Sequence, residues 1–212
     1  MADEYLFAVL FFISFFVFWG VRGYYIRKTR DPNARRSRAE RREAMRKEGW
    51  TGLAIIMVIP IEILLVLVYV ISPLWLSMSF LEVPELARWC GLILIIISIS
   101  LAAWVHQTLG RAYSYALETK SEQSLITTGP FSRTRHPLYS AHNLFNIGMI
   151  ILTLNIPLII IALFGIPVTY VRMRDEERMM VNQFGSEYTQ YMKRTGRIMP
   201  KFTGRPKTET NA

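Results

Sequence analysis

Apolar residues in this chain are gathered into five blocks, at about 5–24, 50–72, 86–106, 138–154 and 156–171. Each of the first three reaches the ~20 residues that a helix needs to cross a hydrocarbon layer. A backbone in lipid must satisfy its own hydrogen bonds, so such blocks are expected to be helices. The predicted fold is therefore all-α, a membrane bundle of five transmembrane helices with a C-terminal cytoplasmic helix. The last two blocks are shorter and meet at "LNIP", where Asn155 and Pro157 favour a turn. They form a helical hairpin whose lower ends continue past the membrane. The whole chain, 1–212, is expected to be one membrane domain. Residues 1–49 supply the first span and a basic loop, 50–106 the second and third spans, 107–202 a motif segment, the hairpin and the last helix, and 203–212 a flexible tail.

The formal charge of +9 is unevenly placed. Between the first two spans lies "RKTRDPNARRSRAERREAMRKE", and basic residues also follow the third and fifth spans, whereas "SPLWLSMSFLEVPE" and "LNIP" are poor in lysine and arginine. Basic loops stay in the cytoplasm, so the N-terminus is expected outside and the C-terminus inside. The segment Arg35 to Lys47 has no interleaved aromatics and is diluted by Glu40 and Glu43, which argues against a nucleic-acid partner. Contact with anionic lipid headgroups explains it, at ~1 kcal/mol per basic residue. The start "MADEY" is acidic and no small-residue cleavage site follows "LFAVLFFISFFVFWGV", so the first span reads as a retained anchor. The single cysteine, Cys90, excludes an internal disulfide and is expected to pack as a small apolar residue. Three scattered histidines give no metal-ligand spacing, and no metal is expected.

Polar residues inside apolar sequence mark the places of interest. Tyr139, His142, Asn143 and Asn146 recur at spacings of three and four, which puts them on one face of the fourth helix. That face is either interhelical hydrogen-bond glue or a pocket wall. Glu62, beside Pro60 in "IPIEILLV", costs ~2.5–3.5 kcal/mol in a span unless partnered, and its partner is not legible. His106 falls at the cytoplasmic end of the third span, where an interfacial or capping role is expected. Arg172 and Glu176 stand four apart on a continuing helix, the spacing of an ion pair worth ~0.2–0.5 kcal/mol. Phe184, Tyr188 and Tyr191 form a stripe on the helix beyond it, which is expected to lie back on the bundle or the bilayer.

The ordered set "SLITTGPFSRTRHPLY", a helical hairpin, then "RMRDEERMMVNQFGSEYTQYMKRTGRIMP" resembles the isoprenylcysteine carboxyl methyltransferase family. These are integral membrane enzymes that methylate a C-terminal prenylcysteine with S-adenosylmethionine. The likeness covers about residues 113–202; the first two spans share only the topology and the basic loop. "RHPxY" alone also occurs in phospholipid N-methyltransferases and membrane sterol reductases. Carried over by position, the resemblance implies cofactor contacts at Gln123, Ser124, Leu125, Ile126, Phe131, His136, Pro137, Leu138, Tyr139 and Glu176. It implies that Arg172 meets the substrate and, with Glu176, carries the catalysis. Family members often have histidine where Gln123 stands and tyrosine where Phe131 stands, so one donor is missing at each place.

The chemistry of these residues is compatible with that transfer. Proline suits the first turn of a helix, whose unpaired N–H groups attract an anion, so the cofactor's carboxylate is expected at Pro137 with His136 and Tyr139 beside it. A carboxyl acceptor with a pKa of about 3.3–3.7 is already ionised at neutral pH and needs chiefly to be positioned. Arginine can hold it through a planar fork, and near-attack geometry supplies ~7–11 kcal/mol. An amine acceptor needs a base instead, a role arginine fills poorly. The expected partners are thus a lipophilic carboxylate substrate such as a prenylcysteine and the membrane lipids. A phospholipid amine or a thiol as acceptor, an NADPH-dependent membrane reductase and a non-enzymatic scaffold are the competing readings.

Overall fold

A computed structural model describes residues 2–29, 84–110, 124–153 and 156–201, together with 49–54, 57, 60, 61, 63 and 64. Among the described residues the regular structure is helical: α1 (Ala2–Thr29), α2 (Glu85–Leu109), a 3-10 turn (Gly129–Ser132), α3 (Pro137–Thr153), α4 (Ile156–Phe184) and α5 (Ser186–Arg194). Residues 49–54 are helical as well. Most of the predicted second span, with Glu62, the basic loop, Gln123 and the tail at 203–212, lies outside the described residues.

α1 buries Phe7, Phe11, Phe15 and Phe18, a stripe at spacings of four, four and three, while Val9, Ile13, Phe16 and Val17 point outward. A helix that is apolar on both its packed and its open face is one suited to lipid. Phe18 stacks on Phe145 of α3 with ring centroids 4.0 Å apart. Within the core, α2 and α3 make the closest approach. A Cβ on Gly91 would stand 2.8 Å from the Gly148 carbonyl oxygen, and one on Gly148 would stand 2.7 Å from Ile95 Cγ1. The two glycines let the backbones touch, the small-residue packing that membrane helices use where hydrophobic driving force is absent. Ser98 closes the seam by donating to the Ala141 carbonyl at 2.8 Å.

Among the described residues, two helices, Leu6–Thr29 and Glu85–Leu109, have the length and composition of membrane spans. α3, at 17 residues, is about 26 Å long. α4 carries Pro167 and continues from its apolar half into "RMRDEERMMVNQF", so the extension of the hairpin beyond the apolar block is seen directly. Gly185, at φ +55, separates α4 from α5. Two expectations are corrected. Cys90 is exposed on α2 and does not pack in the core. The His106 side chain is not interfacial: it is buried, with its ring parallel to that of Tyr25 at 5.7 Å, while its backbone carbonyl accepts the N–H of Gly110 at the end of α2.

Candidate active site

The site is built where two segments distant in sequence meet. Gly129 starts the 3-10 turn at φ +57, and its missing side chain leaves room for Thr108 of α2, 2.8 Å from where a Cβ would be. The chain then runs through Arg133–His136 as a short extended stretch. Thr134 pairs with Gly196 in an isolated parallel bridge, Arg135 N–H donates to the Gly196 carbonyl at 2.8 Å, and His136 N–H donates to that of Arg197 at 3.0 Å. A Cβ on Gly196 would collide with the Met199 carbonyl, so the "TGR" glycine is required by space. Tyr191 of α5 donates its hydroxyl to the Phe131 carbonyl at 2.7 Å, and Tyr188 and Tyr191 are both buried. α5 therefore lies back against the turn, as its aromatic stripe predicts.

At this junction α3 begins with Pro137, and α4 passes with Arg172, Glu176 and Glu177. Tyr139 donates to Glu176 Oε1 at 2.7 Å, and Arg172 Nε donates to the same oxygen at 3.3 Å. His136 lies between two carboxylates, its Nδ1 3.4 Å from Glu176 Oε2 and its Nε2 3.4 Å from Glu177 Oε1. The Nε2 contact is an ion-pair approach and does not meet hydrogen-bond geometry. Arg172 is buried, with 6% of its side chain exposed, while Glu176 keeps 24%. Of the central groups, Glu176 is thus the more open to an incoming molecule.

Glu177 sits deeper. Arg135 Nε donates to its Oε1 at 2.9 Å, Arg197 Nε to the same oxygen at 3.1 Å, and Arg197 Nη2 closes the fork on Oε2. Arg135 also donates from Nη1 to the Met192 and Thr195 carbonyls at the end of α5. One buried carboxylate thereby ties the approach to α3, the body of α4 and the segment after α5 into one unit.

The charges are mutually supporting. Burial by itself raises a carboxyl pKa, yet the contact with His136, together with Tyr139 and Arg172, holds Glu176 below its ordinary value. Glu177 is held well below the carboxylate range, with His136, Arg197 and Arg135 overcoming its desolvation. Burial lowers the His136 pKa, but the two carboxylates outweigh it and the net shift is upward. The surroundings of His136 consequently favour its imidazolium form.

Of the residues expected at the site, His136, Pro137, Tyr139, Arg172 and Glu176 are brought together. Leu138 follows in the same helical turn, half-buried against the hydrophobic core. Phe131 contributes its backbone carbonyl to Tyr191. Ser124 is exposed, and Leu125 and Ile126 half-buried, on the extended approach to the turn. Gln123 lies outside the described residues. Sequence reasoning missed the roles of Glu177, Arg135 and Arg197. The signal was the doubled acid in "RDEE", whose second carboxylate has Arg174 three residues before it yet takes Arg135 and Arg197 from other segments as partners.

An acidic group kept ionised and partly open fits a cation such as the sulfonium and ammonium of S-adenosylmethionine. The four cationic side chains Arg135, His136, Arg172 and Arg197 around two carboxylates leave the cluster positive at the start of α3, which fits that molecule's carboxylate. Among the described residues there is no cluster of metal-ligating side chains.

The phospholipid methyltransferase family matches residues 86–187. A protein-S-isoprenylcysteine O-methyltransferase from Saccharomyces cerevisiae is 29% identical over 125 residues, 58% of this chain and 52% of the yeast protein. A cobalt-zinc-cadmium resistance protein from Cupriavidus metallidurans is 27% identical over 126 residues, 55% of this chain and 56% of that one. The chain spans about half the length of the curated relatives it matches. A solved structure of the eukaryotic intramembrane Ras methyltransferase, isoprenylcysteine carboxyl methyltransferase, shares the fold with a TM-score of 0.54 at 18% identity, over 83% of this chain and 60% of that one. The ordered motifs and the yeast relative make this chain similar to the isoprenylcysteine carboxyl methyltransferases, and the solved structure shows the helical fold that it shares with one of them.

Proposed function

We propose that the chain is an S-adenosylmethionine-dependent carboxyl O-methyltransferase whose acceptor is a lipophilic acid, a prenylcysteine or a molecule like it, at the boundary of membrane and cytosol. The observation that carries this reading is the convergence on Glu176. Tyr139 at the start of α3 and Arg172 on α4 both donate to one of its oxygens, while His136 approaches the other. Donor-binding and acceptor-binding groups are thereby within one side chain of each other.

When bound, S-adenosylmethionine supplies a sulfonium methyl, and attack by the acceptor carboxylate oxygen forms the C–O bond as the C–S bond breaks. Glu176 stabilises the positive charge of the donor, and its depressed pKa keeps it ionised at neutral pH. The start of α3, with the positive cluster around it, holds the donor's carboxylate. Arg172 offers the guanidinium that orients the acceptor, in competition with Glu176. Tyr139 fixes the rotamer of Glu176 through its 2.7 Å bond. The chain's contribution is positioning and electrostatics, as a reaction between a sulfonium and a ready-made carboxylate demands.

The family that matches residues 86–187 is described by phospholipid methylation, which raises an amine as the acceptor. The state of His136 weighs against it. An amine must lose its proton before attack, and the one imidazole at the site lies between two carboxylates that favour its protonated form. The charge pattern favours a C-terminus in the cytoplasm, which places the site on the cytoplasmic side, with donor entry from water and acceptor entry from the bilayer. The test is equilibrium binding of S-adenosylmethionine to purified, detergent-solubilised protein, followed by product mass with a farnesylcysteine analogue and with phosphatidylethanolamine. An ester of the first supports the proposal. A methylated amine, or no binding of the donor, overturns it.

A further inference from the structure

Among the described residues, one half-buried cationic side chain has no acid beside it. Arg22 lies on the inner face of α1, about two turns before the helix ends at Thr29. Among the described residues no carboxylate pairs with it. Its Nη1 donates to His142 Nδ1 of α3 at 3.3 Å, and its guanidinium carbon stands 5.2 Å from the centre of the Trp19 ring. Arginine only donates, so Nδ1 of His142 accepts and the imidazole there is neutral, which leaves the arginine charge uncompensated among the described residues. Two further donors are shut from solvent and unmatched: Nε of Arg22 itself and Nε1 of Trp19. Trp19 and His142 are also in contact, with ring centroids 5.7 Å apart.

A half-buried guanidinium whose Nε–H is shut from solvent and unmet, next to an unmet indole N–H, asks for an anion with several acceptor oxygens. The surroundings indicate where it comes from. On the open side of α1, Phe16 is 64% exposed and Tyr24 59% exposed, both beside Arg22 along the helix. Arg27 and Lys28 follow in its last turn. The cluster therefore lies at the level where apolar helix surface gives way to basic residues, the depth of a lipid headgroup. It shares α3 with Tyr139, three residues from His142, but uses none of the groups assigned to methyl transfer.

We propose that Arg22, Trp19 and His142 form a seat for the phosphate of an anionic membrane lipid, held between α1 and α3. Its occupant neutralises the arginine charge and joins the first span to the helix that begins the candidate active site. The shared ligand chemistry is a phosphate oxyanion, and free phosphate is the soluble alternative.

The experiment uses the full chain, delipidated in detergent, with retention of added phosphatidylglycerol, phosphatidylcholine or inorganic phosphate read by native mass spectrometry. Wild type and the surface control Lys28→Gln are expected to retain phosphatidylglycerol over phosphatidylcholine, and Arg22→Gln is expected to bind it about tenfold more weakly or worse. Arg22→Lys, which keeps the charge and loses the fork, is expected to fall between them. Trp19→Phe, which removes one donor and keeps the ring, is expected to weaken retention severalfold and serves if Arg22→Gln does not fold. Equal retention by wild type and the Arg22 and Trp19 variants overturns the proposal, as does equal retention of the two lipids. Arg22-dependent binding of inorganic phosphate without lipid retention assigns the site to a soluble anion and overturns the lipid assignment.

Discussion

Tyr139 and Glu176, thirty-seven residues apart, are joined by a 2.7 Å hydrogen bond that fastens the start of α3 to the middle of α4. The tyrosine comes from the "RHPLY" motif and the glutamate from "RDEE". Their contact is the physical reason that the two motifs meet in space.

Removing the Tyr139 hydroxyl leaves the carboxylate with fewer donors in a partly buried place. Tyr139→Phe is expected to weaken S-adenosylmethionine binding by about 1–2 kcal/mol, the scale of a hydrogen bond to a charged group. Glu176→Gln is expected to weaken it more. The double variant is expected to be less impaired than the sum, because both changes break the same bond. Isothermal titration of the four proteins measures this coupling.

Glu177 has a different task. With 6% of its side chain exposed and Arg135, Arg197 and His136 against it, it is a structural anion. Glu177→Ala strands buried positive charge and is expected to destabilise the fold by ~3–5 kcal/mol. A matching fall in thermal unfolding temperature checks this. Donor binding, measured at a temperature where the variant remains folded, is expected to suffer less than in Glu176→Gln.

The same groups set a pH window. A raised His136 pKa contributes stability fully present below the ordinary histidine value of 6.5, lost as pH rises through the folded value. A depressed Glu177 pKa contributes stability present above 4.5, lost as pH falls through the folded value. Thermal stability is thus expected to be greatest between the ordinary carboxylate value of 4.5 and the ordinary histidine value of 6.5, and to decline from there toward the raised histidine value. His136→Gln is expected to flatten the alkaline side of the profile, and Glu177→Gln the acid side. Unfolding temperatures across pH test both limbs.

The α2–α3 seam is sensitive to a single methyl group. At Gly148 a Cβ meets Ile95 Cγ1 at 2.7 Å and the Gly91 carbonyl oxygen at 2.8 Å, and a backbone oxygen cannot swing away. Gly148→Ala is expected to cost ~1–3 kcal/mol, while Gly165→Ala, which meets nothing within 4 Å, leaves the packing unchanged. Detergent thermal unfolding of the two variants separates them.

Much of the scaffold was legible because lipid imposes a simple rule: an apolar run of sufficient length becomes a helix. That rule located α1 and α2, and the periodicity of Phe7, Phe11, Phe15 and Phe18 is the pattern of a packed stripe. The polar face of α3 was legible as a face, but its partners were not. Tyr139 found Glu176, whereas His142 found Arg22, and nothing in local spacing separates those fates. The i,i+4 spacing gave the Arg172–Glu176 pair directly. Spacing gave no hint of the Thr134–Gly196 bridge or the Arg135–Glu177–Arg197 tie, since both depend on how the chain folds back after α5. Cys90 was misplaced because a helix in lipid turns apolar residues outward as readily as inward.

The central claim is that donor and acceptor meet at Arg172 and Glu176. It is tested most directly by methyl transfer from labelled S-adenosylmethionine to a farnesylcysteine analogue, with wild type and Arg172→Ala compared at saturating donor. The account predicts a carboxyl methyl ester from wild type and a loss of at least about a hundredfold in Arg172→Ala, the scale of a lost buried charged contact. Undiminished ester formation by Arg172→Ala would contradict it.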